Sequence, residues 1–120
     1  MKDYRMGVVE ARFAELIWKH EPISSGELVK LCAKELEWKK STTYTVLRKL
    51  CERGIFKNED ACVSSLISKD ELYSLQSEQF VNENFKGSLP AFFAAFTSRQ
   101  KLSTEEIVEI QNMISSYKGE

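Results

Sequence analysis

The chain has 120 residues, 42% apolar and 29% charged, a balance that fits one compact domain, or a small domain with a helical appendage, and argues against disorder. No apolar run approaches the roughly 18 residues of a membrane span, and the first ten residues lack the apolar core of a secretory signal; a cytoplasmic protein without membrane insertion is expected. The net charge of −1 by itself says nothing for nucleic acid, but it is unevenly spread: residues 1–68 carry 12 Lys+Arg against 10 Asp+Glu, and residues 69–120 carry 5 against 8.

In chain order, the first helical pattern runs over Val8–His20, where Val9, Phe13, Leu16, Ile17 and His20 share one face with Trp18 at its flank. Glu21-Pro22 ends it, because the residue before proline is pushed out of the α region. The lone histidine, His20, has nothing beside it to make it a base or a ligand, and reads as a helix-end residue. A second helix begins at Ser24, where Ser24 and Glu27 have capping-box spacing, and Leu28, Leu31 and Cys32 make its inner face. Leu36-Glu37-Trp38 breaks the pattern and reads as a short extended piece.

The third helix is the informative one. Ser41 is its expected N-cap and Gly54 its C-terminal stop. At 3.6-residue periodicity Thr43, Val46, Leu47, Leu50 and Cys51 face inward. Ser41, Thr45, Arg48, Lys49 and Glu52 lie opposite, with Thr42 and Tyr44 at the margins. Residues 38–53 thus concentrate Lys39, Lys40, Arg48, Lys49 and Arg53 against Glu52 alone, which is either a phosphate-contacting surface or a solvated helix face. Two β-like runs, residues 55–58 and 62–67, follow around the polar connection Glu59-Asp60-Ala61 and read as a hairpin.

Ser68 and Glu71 form a second capping box at the start of a helix reaching Phe85. Ser88-Leu89-Pro90 opens an almost wholly apolar helix, and Ser103 with Glu106 caps a last one carrying Ile107, Ile110, Met113 and Ile114 on one stripe.

The expected fold class is therefore mostly α with a small β-hairpin: an N-terminal winged helix-turn-helix, residues 1–68, for DNA binding, and a C-terminal helical dimerisation region, residues 69–120. Thr42, Tyr44 and Thr45 are the expected contacts to base edges in the major groove. Lys39, Lys40, Ser41, Arg48 and Lys49, with Lys57 from the wing, are the expected phosphate contacts. The three C-terminal helices are too few to bury their own apolar residues, so Leu75, Phe80, Leu89, Phe92, Phe93, Phe96, Ile107, Ile110 and Ile114 are expected at a homodimer interface; the other reading folds them back on the winged helix.

Cys32, Cys51 and Cys62 are odd in number, widely separated and without a C-x-x-C pair, so neither a disulfide framework nor a metal site is expected, and no cofactor. With one histidine, no nucleophile beside a base and no Gly-rich phosphate loop, the chain does not read as an enzyme. A protein-interaction module, or a redox-responsive regulator working through its thiols, on the same winged helix is the alternative function.

Residues 10–18, residues 38–50 with Gly54, residues 85–88 and residues 102–107 together resemble the penicillinase repressor family (BlaI/MecI type), over about residues 8–118. The resemblance implies a dimeric winged-helix repressor of a dyad-symmetric operator near β-lactam resistance genes. It further implies a membrane sensor-protease, or its downstream protease, as the partner that cleaves the repressor in its C-terminal helices. At the position matching the family's Asn-Phe cleavage pair this chain reads Ala95-Phe96, without the scissile asparagine. Copper-responsive relatives end in a cysteine cluster, whereas no cysteine follows Cys62 here.

Overall fold

The computed structural model describes residues 3–117. Its elements are α1 (Val8–His20), β1 (Ile23–Ser24), α2 (Ser25–Leu36), α3 (Lys40–Glu52), β2 (Phe56–Glu59), β3 (Cys62–Ser65), α4 (Lys69–Phe85), α5 (Leu89–Thr97) and α6 (Thr104–Tyr117). The chain divides into two compact units, Met1–Gln79 and Phe80–Glu120, with α4 beginning in the first and ending in the second.

Helix boundaries follow local hydrogen-bond chemistry. The Ser24 hydroxyl accepts from the Glu27 N–H, Ser68 from Glu71, Ser88 from Ala91 and Ser103 from Glu106, each satisfying one of the donors that a helix start leaves open. In α1 the Glu10 carboxylate reaches back to the Gly7 N–H at 3.1 Å. The end of α3 is closed by Gly54 at φ 78°, with Gly54 N–H donating to the Cys51 carbonyl and Ile55 N–H to that of Leu50. Those paired bonds are a Schellman closure, and the left-handed residue it needs is the glycine expected to stop the helix.

The sheet has the order β1-β3-β2, both pairings antiparallel, with Phe56 opposite Ser65 and Glu59 opposite Cys62. The turn between β2 and β3 is Asp60-Ala61, both at positive φ (52° and 59°), a backbone that matches the twist of a two-residue hairpin but costs energy without a glycine. β1 was not expected: two residues are too short to show alternation, and they become a strand because Ile23 pairs with Val63 and Ser24 with Cys62.

The core of the first unit gathers Phe13, Ala14 and Ile17 of α1, Leu28 and Cys32 of α2, Leu47 and Leu50 of α3, then Ile55, Phe56, Val63, Ile67 and Leu72. Leu72 thereby binds the first half of α4 to the winged helix, and Leu75 packs half-buried against the same core. Two side chains brace the assembly from outside. The Trp18 indole N–H donates to the Ile67 carbonyl at 3.1 Å, and the Glu21 carboxylate accepts both the N–H and hydroxyl of Ser65 at 2.8 Å, fixing the end of α1 to β3.

Three details of the expected first unit change. The inward residues of α1 are Phe13, Ala14 and Ile17; Val9 and His20 are exposed, because the core-facing stripe is narrower than the apolar one and slides toward Ala14. The piece around residues 36–38 is not extended: Leu36 is the last residue of α2 and Glu37 is left-handed at φ 56°, turning the chain directly into α3. The N-cap of α3 is Lys39, not Ser41, which lies inside the first turn. No side chain caps that end, while the Lys39 carbonyl accepts both the Thr43 N–H and the Thr43 hydroxyl.

In the second unit, Phe80, Phe85, Phe92 and Phe96 form a chain of edge and tilted ring contacts with centroids 5.6–6.3 Å apart. Among the described residues none of α5 or α6 is fully buried. Among the described residues no helix is long and apolar enough to cross a membrane.

Candidate nucleic-acid interface

α3 is held on its inner side by three buried residues at helical spacing, Thr43, Leu47 and Leu50. Thr43 meets Cys32 of α2; burial pushes the Cys32 thiol above its ordinary range, and its hydrogen bond with Thr43 works in the opposite direction. Just ahead of the helix, Trp38 stacks on Phe13 with ring centroids 5.3 Å apart and planes at 25°. With Trp38 below its start and the Gly54 closure at its end, α3 is fixed at both ends and along its length.

The opposite face is open. Lys39, Lys40, Ser41, Thr42, Thr45, Arg48 and Lys49 are all exposed, and none of the four basic residues has an ion pair among the described residues. The structure thus brings these expected contacts onto one surface. The Thr45 hydroxyl donates to the Ser41 carbonyl at 2.9 Å, so what it offers outward is its oxygen lone pairs and its methyl group. Tyr44 lies half-buried against the core at the margin. Lys57 sits in β2 with its ammonium 3.8 Å from Glu59 Oε2, so its positive charge on the wing is partly offset by its own neighbour.

Arg53 belongs to the same basic stretch of sequence yet faces elsewhere. Its guanidinium donates to the carbonyls of Asp3, at 2.6 and 3.2 Å, and of Arg5, and approaches Glu10 at 3.9 Å. Nothing in the local sequence signals this role, because its partners lie about fifty residues away in the chain.

The expected interface residues of the second region divide. Leu75 packs on the first unit's core; Phe92 and Ile110 are half-buried; Phe80, Leu89, Phe93, Phe96, Ile107 and Ile114 are exposed, as are Met113 of the same α6 stripe and Val108. Ala95 and Phe96 lie within α5, with Phe96 half exposed and in ring contact with Phe92.

Three helices, a short hairpin and a third strand bridging α1 to α2, with a cationic third helix facing outward, define a winged helix-turn-helix protein of the regulatory kind. The penicillinase repressor family model matches residues 6–116. The chain belongs to that family, whose members are transcriptional repressors and not enzymes. Among its relatives, the penicillinase repressor of Bacillus licheniformis is 26% identical over 114 residues, covering 92% of this chain and 89% of the relative. The methicillin resistance regulatory protein MecI of Staphylococcus aureus (strain Mu50 / ATCC 700699) is 24% identical over 118 residues, covering 95% of this chain and 96% of the relative. A solved structure of Bacillus licheniformis BlaI, its monomeric form in complex with the blaP half-operator, superposes with a TM-score of 0.50 at 25% identity, covering 59% of this chain and 93% of that one.

Proposed function

We propose that this repressor binds double-stranded operator DNA as a homodimer, each copy laying the N-terminal half of α3 in a major groove. The observation that carries the reading is the single open face of α3, where Lys39, Lys40, Arg48 and Lys49 surround Thr42 and Thr45 without ion pairs among the described residues. Lysine and arginine at the edges neutralise phosphates and set register, while the Thr42 and Thr45 oxygens and methyls, with Tyr44 at the margin, meet base edges and thymine methyls. Ser41 adds a hydroxyl at the helix start, and Lys57 contributes weakly from the wing because Glu59 offsets it. The structure of monomeric BlaI in complex with a half-operator supports operator DNA as the partner here.

Dimerisation is supported by the exposed apolar surface of α4 to α6, where Phe80, Leu89, Phe93, Phe96, Ile107 and Ile114 all lie open in the isolated chain. Two copies on one duplex convert weak single-helix binding into strong binding through effective concentration. The genes regulated include those of β-lactam resistance, by kinship with the penicillinase and methicillin-resistance repressors, and the protein acts in the cytoplasm. Cleavage by a membrane sensor-protease, or its downstream protease, would fall at Ala95-Phe96 in α5. Thiol-based regulation is disfavoured at two of the three cysteines: burial pushes the Cys32 and Cys51 thiols up, which lowers their reactive thiolate fraction.

The deciding experiment is a mobility-shift titration with duplex from the promoter region of the protein's own gene. Wild type gives a dimer complex that weakens steeply with salt, and Arg48→Ala with Lys49→Ala abolishes it at moderate salt while the fold survives. Unchanged binding in that double variant overturns the assignment of α3.

A further inference from the structure

We propose that residues 3–6 form a strap that ties the end of α3 to α4, and that Arg53 is a positioning residue for DNA binding rather than a phosphate contact. Four observations converge on it. The Asp3 carboxylate accepts both the backbone N–H and the guanidinium of Arg5, which folds the segment into a local turn. Arg53, at the C-terminal cap of α3, then donates to the Asp3 and Arg5 carbonyls that this turn presents side by side. From the other direction, the Gln76 amide of α4 donates to the Tyr4 carbonyl at 2.7 Å, and the Tyr4 N–H donates to Gln79 Oε1 at 3.0 Å. Tyr4 and Met6 place their side chains half-buried against the core between these anchors.

The consequence follows from where α4 goes. It is the one helix that both compact units share, so an element joining its first half to the end of α3 joins the DNA-facing helix to the helix leading into the second unit. Charge-assisted bonds from a guanidinium to two carbonyls resist sliding better than neutral ones, which suits a clamp. A dimer reading two half-sites needs its two α3 helices held in register, whereas a single α3 on one half-site does not. The strap therefore matters for two-site binding and not for one-site binding. The DNA part of this inference rests on the function proposed above; the strap itself does not.

The test uses the full chain with Arg53→Gln, which keeps a polar side chain but removes the paired donors. Amide hydrogen exchange on the free protein is expected to speed up about fivefold or more in α4 between Leu72 and Gln79, the effect of losing roughly one hydrogen bond, although Arg53 sits on α3. Gln76→Ala is the reciprocal variant, expected to speed exchange at Gly54 and Ile55 at the end of α3. On DNA, Arg53→Gln is expected to weaken binding to the intact promoter duplex severalfold while binding to the same duplex cut to one half-site stays at the wild-type level. Unaltered exchange in α4 for Arg53→Gln overturns the strap. Equal losses on both duplexes overturn it as well, and make Arg53 a phosphate contact. If the wild type binds neither duplex, the proposed function falls, and the exchange measurement still decides the strap.

Discussion

Trp38 stacks on Phe13, ring over ring at 5.3 Å, and so joins the residue that precedes the N-cap of α3 to the middle of α1. α3 starts without a side-chain cap, whereas a hydroxyl accepts a backbone N–H at the start of α2, α5 and α6, so this stacked pair anchors the entry to α3 by packing instead. Trp38→Ala is expected to destabilise the fold by about 2–3 kcal/mol, less than the loss of a fully buried tryptophan because the indole is half exposed. Urea denaturation followed by circular dichroism measures it. A Trp38→Phe variant keeping most of that stability would confirm that stacking, not the indole N–H, is what counts.

The hairpin turn offers the opposite change. Ala61 stands at φ 59°, where its Cβ crowds the backbone, and Ala61→Gly is expected to raise stability by roughly 0.5–1 kcal/mol, the relief of left-handed strain less the extra chain entropy of glycine. A higher thermal midpoint with unchanged DNA binding is the expected result, since the carbonyl of residue 61, which accepts from the Ser25 N–H, is retained.

The second unit can be tested by charge. Ile107 and Ile114 lie exposed on α6, two turns apart, and Ile107→Glu with Ile114→Glu puts like charges on that stripe without burying them in the isolated chain. Sedimentation should then show a monomer at concentrations where wild type is dimeric. Affinity for a two-half-site duplex should drop by about 10²–10⁴, the avidity lost with the second copy.

The Lys69 ammonium holds the Glu15 carboxyl below its ordinary 4.5, with a further hydrogen bond from Tyr73. A carboxylate whose value is lowered on folding stabilises the fold above the ordinary value, and that contribution disappears as pH falls through the lowered one. The two side chains are more than two-fifths exposed, so solvent and salt screen the pair and the effect is small. Lys69→Ala is expected to move the Glu15 titration up toward 4.5, read by carboxyl carbon NMR. The stability gap between variant and wild type should be present at neutral pH, close below pH 4.5, and shrink in 1 M salt.

What the sequence disclosed and what it withheld divide by the range of the interaction. Ser24, Ser68 and Ser103 mark helix starts because a hydroxyl and a carboxylate three residues on act within one turn; Gly54 marks a stop because its left-handed φ is local too. The outward face of α3 was legible for the same reason, since periodicity alone sorts Thr43, Leu47 and Leu50 from Thr45, Arg48 and Lys49. Ser41 misled because it is a good capping residue in a place where tertiary packing of Trp38 already fixes the helix start two residues earlier. β1 and the partners of Arg53 were invisible because each depends on residues some forty to fifty positions away, and a lone arginine in a basic run carries no sign of which way it turns.

Ser24 is both the last residue of β1 and the N-cap of α2. That double duty leaves no slack where the sheet hands over to the helix-turn-helix: one residue inserted between Ser24 and Ser25 would have to break either the pairing with Cys62 or the bond to the Glu27 N–H. Variation in chain length is therefore expected at the hairpin tip, and a loop library or circular permutation of this repressor should be opened at Asp60-Ala61 and kept out of the β1–α2 junction.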